Sequence, residues 1–169
     1  GRAIADGWRF EPVPGVRNAG WSLLSIDDAL LVAVGDGIYT VRFGAADAIE
    51  LTTADLLTDE RVIYLFRSPV DDDVVYASLE NGLGVLHREQ GAWRWQGRLV
   101  LLHGEVRQAV SGTRGEILVN ITGQQRVAVL EFTDGARAAP VVHELDDREG
   151  SLQSLDGAVY WTTDEGVER

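Results

Sequence analysis

The chain has 169 residues, 45% of them apolar, and a formal charge of −12 carried by 27 acidic residues against 15 basic ones, all of them Arg. This length and balance describe a globular domain able to bury a core, and the acidic field disfavours nucleic acid and anionic membrane surfaces as partners. Cys is absent, which removes disulfide frameworks and thiolate metal sites. No apolar run approaches the ~18 residues that a membrane-spanning helix needs.

Alternation of period two, punctuated by Gly, Asp and Asn, recurs along the chain, and capped helical periods are missing, so the sequence predicts an all-β fold. Trp8-Arg9-Phe10 resembles Trp93-Arg94-Trp95 and predicts an outer strand over about 6–14, belonging to a preceding unit. A first unit, about 18–55, has strands at Trp21–Ile26, Leu30–Val34, Gly37–Phe43 and Ala48–Leu51, with Gly35-Asp36-Gly37 as its hairpin turn. A second, about 60–101, has Val62–Phe66, Val74–Leu79, Gly84–His87 and Trp93–Leu99, with Asp71-Asp72-Asp73 and Glu80-Asn81-Gly82 as turns. Asn and Gly tolerate the positive φ that such turns demand. A third, about 104–146, has Val106–Val110, Glu116–Ile121, Val127–Phe132 and Pro140–Leu145, turning at Gly123-Gln124-Gln125. A fourth, about 149–169, starts at Ser151, continues through Ala158–Thr163, turns at Asp164-Glu165-Gly166 and is incomplete.

Superimposing the second strands puts Leu31, Tyr76, Leu118 and Tyr160 in register, at steps of 45, 42 and 42 residues. A period of ~40–45 residues with four short strands per unit is the signature of β-propeller blades. The expectation is therefore a propeller segment of about four blades, each of four antiparallel strands, forming part of a larger propeller. The alternative is a small four-bladed ring closed by Trp8 to Val13.

The three histidines, His87, His103 and His143, fall on different units without ligand-like spacing, and no metal or cofactor is expected. Asp71-Asp72-Asp73 lacks the alternation and bend glycine of a calcium loop and reads as a solvated turn. No Gly-x-Ser-x-Gly elbow occurs, and Ser111 and Ser154 have no evident base, so no catalytic residue is assigned. Loop carboxylates Asp59, Glu105 and Glu149 leave a glycan-cleaving enzyme as a lesser alternative. In a propeller, connections entering the inner strands, together with the tips between second and third strands, gather near the axis, where binding residues sit on rigid supports. That placement nominates Arg61, His103, Arg107 and Arg148, with Asp36, Asn81 and Gln124, as ligand-binding candidates. Arg grips carboxylates in bidentate fashion. Trp93 and Trp95 alternate with Arg94, so both rings are expected on one face, against a neighbouring blade.

The hairpins resemble the two-component regulator propeller repeat, with its pattern Gly-x-Leu-Trp-Ile-Gly-Thr-x-x-Gly-Leu. Gly157 to Val167 carries it best: Gly157, Val159, an aromatic, Thr163 and Gly166 are kept, while Thr162 stands in place of Gly. The second unit keeps Val75, Tyr76, Gly82 and Leu83, the first Leu30, Gly37 and Ile38, and the third only Gly115, Ile117 and neighbouring aliphatics. The resemblance implies a non-enzymatic, periplasmic or extracellular ligand-sensing module of a bacterial signalling receptor, taking a small molecule or carbohydrate. A scaffold for protein partners is the principal alternative, and a homodimer is compatible with either.

Overall fold

The computed structural model describes residues 3–4, 8–9, 20–27, 29–35, 37–43, 49–53, 61–122, 126–146, 150–156 and 158–169. Among these the fold is all-β: every element is a strand, and every pairing is antiparallel. Strands β1 (Ala3–Ile4) and β2 (Trp8–Arg9) pair with each other, so the described part of the N-terminal Trp8 segment has β1 as its partner. The first large sheet is a meander of β3 (Gly20–Ile26), β4 (Ala29–Val34), β5 (Gly37–Phe43) and β6 (Ile49–Thr53). The second repeats it with β7 (Tyr64–Arg67), β8 (Val74–Leu79), β9 (Gly82–Glu89) and β10 (Ala92–Leu101). The third is β11 (Glu105–Ser111), β12 (Ile117–Thr122), β13 (Arg126–Glu131) and β14 (Val141–Asp146). The fourth has three strands, β15 (Ser151–Leu155), β16 (Ala158–Thr163) and β17 (Gly166–Glu168).

Turn chemistry sets the strand ends. Asp27 and Asp156 each take a φ of 49° between the first and second strands of their sheets, a left-handed conformation that Asp tolerates better than most residues. Gly82 belongs to strand β9 rather than to the turn, with φ 149°. A Cβ there would lie 2.2 Å from the Val100 carbonyl oxygen, so β9 and β10 can approach only at glycine.

Side chains alternate between the two faces of each strand, and the sheets use both faces to stack in chain order. Ile26, Leu31, Ala33 and Ile38 of the first sheet pack with Leu65, Val75, Ala77, Leu86 and Trp93 of the second. The opposite face of the second sheet, with Phe66, Val74, Tyr76 and Val85, meets Val106, Ile117, Val119 and Leu130 of the third. Strand β8 is consequently buried along its whole length, as expected for apolar runs between two covered faces. Trp93 and Trp95 both lie in the contact with the first sheet, on one face as the alternation predicts.

The first strands β3, β7, β11 and β15 are successive neighbours. Each is the edge of its sheet, so some of its N–H groups lack a ladder partner, and polar side chains of the preceding sheet supply one. Ser22 Oγ accepts from Leu65 N–H at 3.1 Å, Ser78 Oγ from Val106 N–H at 2.9 Å, and Gln108 Oε1 from Leu152 N–H at 3.1 Å. A buried N–H left unsatisfied costs about 1–3 kcal/mol, so these bonds fix the height at which one sheet meets the next. Farther out, Arg88 donates from Nε to Asp73 at 2.7 Å and from Nη1 to Asp27 of the first sheet. Its hydrogen bonds to Asp73 and then Asp27 hold the guanidinium above its ordinary pKa. Two of the three consecutive aspartates are thus used structurally: Asp71 Oδ1 caps Asp73 N–H at 2.9 Å, and Asp73 anchors Arg88.

Tyr76 sits at the centre of the contact between the second and third sheets, fully buried, its hydroxyl donating to the Ala136 carbonyl at 2.7 Å. Burial, with a smaller contribution from the charge of Asp71, outweighs a hydrogen bond with Ser68 and pushes its pKa up to about 12 from 10.0. In the unfolded chain the phenol ionises near its ordinary value, whereas in the native chain it stays neutral to higher pH. The native state is therefore fully favoured below pH ~10 and loses on the order of 2–3 kcal/mol as pH rises through the window up to about 12. Urea unfolding at about pH 9 and about pH 11.5 should show this loss, and Tyr76→Phe should remove most of the difference.

Candidate functional site

The entry into β7 and the start of β11 lie side by side, because consecutive first strands are neighbours. Glu105, the first residue of β11, is mostly buried and receives two guanidinium groups. Arg61 Nη2 donates to its Oε1 at 3.1 Å, while Arg107 reaches Oε2 from Nη2 at 3.0 Å and from Nε at 3.3 Å. Arg61 also lies 3.5 Å from Glu80 Oε1, at the tip between β8 and β9. Arg61, Glu105 and Arg107, with Ile63 and Tyr64, line a cavity of about 290 Å³ open to solvent. Arg107 is its most exposed charged wall.

The chemistry of this arrangement is electrostatic. Two guanidinium groups meet two carboxylates, Glu105 and Glu80, so the cluster is balanced in charge, and Arg107 is its most exposed member. A guanidinium carries five N–H donors, and Arg107 directs two of them at Glu105. Its exposed head is therefore suited to a second, incoming carboxylate or phosphate oxygen. Both carboxylate oxygens of Glu105 are taken up by guanidinium donors.

Of the nominated residues, Arg61 and Arg107 come together in this cavity. Asn81 and His103 are exposed at the same end of the second sheet, joined through the backbone: the Asn81 carbonyl accepts from Leu102 N–H at 3.4 Å. Neither lines the cavity. Asp36, Gln124 and Arg148, like Asp59 and Glu149, lie outside the described residues. Among the described residues no three His, Cys, Asp or Glu side chains gather as a metal site. His87 is buried between Glu89 and Arg137, and His143 faces Glu131 at 3.2 Å. Sequence reading missed Glu105 as the hub joining the two arginines, along with Ile63 and Tyr64 as walls. The signal for Glu105 was its place two residues before Arg107 at the start of the first strand of its sheet.

A second cleft, about 240 Å³, opens between the third and fourth sheets, lined by Leu118, Val127, Leu152, Val159 and Trp161 with Glu168 at its edge.

No family model matches the chain, and no curated protein matches it. Among solved structures, the chain is similar to the crystal structure of the computationally designed Ika4 protein, with a TM-score of 0.62 at 15% identity. That similarity spans 96% of this chain and 97% of the other, and at such low identity it concerns the arrangement of the backbone alone.

Proposed function

We propose that the successive sheets are blades of a β-propeller, and that the segment is a non-enzymatic binding module for a small anion such as a sugar acid. The observation that carries this reading is the Arg61–Glu105–Arg107 cluster around an open cavity at the end where the chain enters the inner strands. The uniform chain-order stacking of antiparallel meanders supports the blade assignment. In a receptor, as the repeat resemblance implies, the ligand would act by binding one arrangement of blades or subunits more tightly than another. A periplasmic or extracellular location belongs to the same proposal.

Titration calorimetry with uronic acids and their neutral sugar counterparts tests it. Uronates should bind and neutral sugars should not, and Arg107→Gln should weaken uronate binding by about tenfold or more, the scale of one lost charge-assisted contact. Equal binding of neutral and acidic sugars, or uronate binding unchanged in Arg107→Gln, would exclude this site. Failure of every small anion to bind, with capture of a defined protein partner instead, would favour the scaffold reading.

A further inference from the structure

Four aromatic rings stand in a row between the second and third sheets. Phe132 stacks on Tyr76 at 4.9 Å, Tyr76 tilts against Phe66 at 5.4 Å, and Phe66 stacks on Tyr64 at 6.0 Å with 28° between the planes. Tyr76 and Phe66 are buried, whereas Tyr64 is only partly covered and forms a wall of the cavity beside Arg61 and Arg107. The row of rings therefore ends at the cavity. Residues two apart on a strand share a face, so Phe66 covers the side of the Tyr64 ring that looks along β7 away from Arg61. The other side of the ring looks toward the strand entry, where the cavity lies.

The backbone holds this ring level with the charged residues. Tyr64 pairs with Ser78 across β7 and β8, and the Ile63 N–H donates to the Ser78 carbonyl at 2.9 Å. Ser78 Oγ in turn accepts at 2.9 Å from the N–H of Val106, the residue between Glu105 and Arg107. Ring and guanidinium thus sit on two strands tied to one buried serine.

We infer that Tyr64 sets the specificity of this cavity, as the platform on which the flat side of a six-membered ring lies while Arg107 holds a carboxylate at that ring's edge. The inference rests on the anion reading above and narrows it, from any small acid to a carboxylate-bearing ring of pyranose size. An aromatic face carries partial negative charge and attracts the polarised C–H groups that line one side of a pyranose. A ring also arrives with its shape fixed, whereas an open-chain acid has to give up rotational freedom to lie flat. Ile63 adds an apolar wall beside the platform. At about 290 Å³ the cavity stands at the lower end of the ~300–1,000 Å³ typical of ligand pockets, which suits one ring rather than a chain of sugars.

Glucuronate and gluconate test the inference, since both are singly charged polyhydroxy acids of equal carbon number and only the first is a ring. Titration calorimetry on the full chain should find glucuronate tighter by about tenfold or more. Tyr64→Leu should weaken glucuronate by about tenfold and leave gluconate within about twofold, whereas Arg107→Gln should weaken both. Tyr64→Phe retains the ring and should retain the preference. Proton resonances of bound glucuronate should move upfield with the wild type and Tyr64→Phe but not with Tyr64→Leu, a ring-current effect that a merely structural role of Tyr64 does not produce. Equal affinity for the two acids, with both weakened by Arg107→Gln, would overturn the platform and leave the anion reading standing. Equal weakening of both acids by Tyr64→Leu, or an upfield shift that survives it, would also overturn the platform. Binding of neither acid would overturn the platform and the anion reading together.

Discussion

Tyr76→Ala should destabilise the chain by about 4 kcal/mol or more, the upper range for truncating a buried aromatic. The ring is fully buried, stacks on Phe132 at 4.9 Å and tilts against Phe66 at 5.4 Å. Truncation opens a cavity in the contact between the second and third sheets and leaves the Ala136 carbonyl without its 2.7 Å donor. Tyr76→Phe isolates the second effect and should cost about 1–2 kcal/mol. Urea titration of both variants measures the two costs. Similar losses from both would mean that the ring is not packed between sheets.

Gly84→Ala is expected to cost about 2–3 kcal/mol, a large effect for one added methyl group. A Cβ on Gly84 would stand 1.7 Å from the Trp95 ring. Gly84 on β9 and Trp95 on β10 share the face packed against the first sheet, so the edge of the six-membered ring occupies the space above the glycine. The added methyl group has to expel the ring from that contact. The two positions are consequently coupled, and the methyl group should cost little once the ring is gone. A double-mutant cycle with Trp95→Ala checks this, and additive losses would contradict the geometry.

Much of the fold was legible because local chemistry and global packing agree. Strands Gly37–Phe43, Val74–Leu79 and Ala158–Thr163 have the bounds that alternation and turn residues predict. The period that aligned Leu31, Tyr76, Leu118 and Tyr160 reflects a shared role: each lies on the same strand of its sheet and the same face by alternation. Errors came where a residue's role is set across the sheet. Gly82 read as a turn residue, yet it opens β9 because Val100 leaves no room for a side chain. Val62 and Ile63 read as strand, and both are buried, but β7 begins at Tyr64.

The site was half legible for a similar reason. Arg61 and Arg107 were nominated from their place at inner-strand entries, whereas the carboxylate that gathers them is recognisable only when β11 is laid beside β7. The Arg61–Glu105 contact spans 44 residues of sequence. Likewise Ile26 and Leu155 are interchangeable on paper. Only packing distinguishes the one that is covered from the one that is bare.

The central claim is that the sheets are equal steps of one radial array. Spin labels on the equivalent first turns, at Asp27, Asp72, Arg114 and Asp156, measured pairwise by electron–electron resonance, test it most directly. The array predicts three matching nearest-neighbour distances and two matching longer ones between alternate sheets. Unequal neighbour distances, or alternate sheets closer together than adjacent ones, would contradict it and point to a sandwich or barrel.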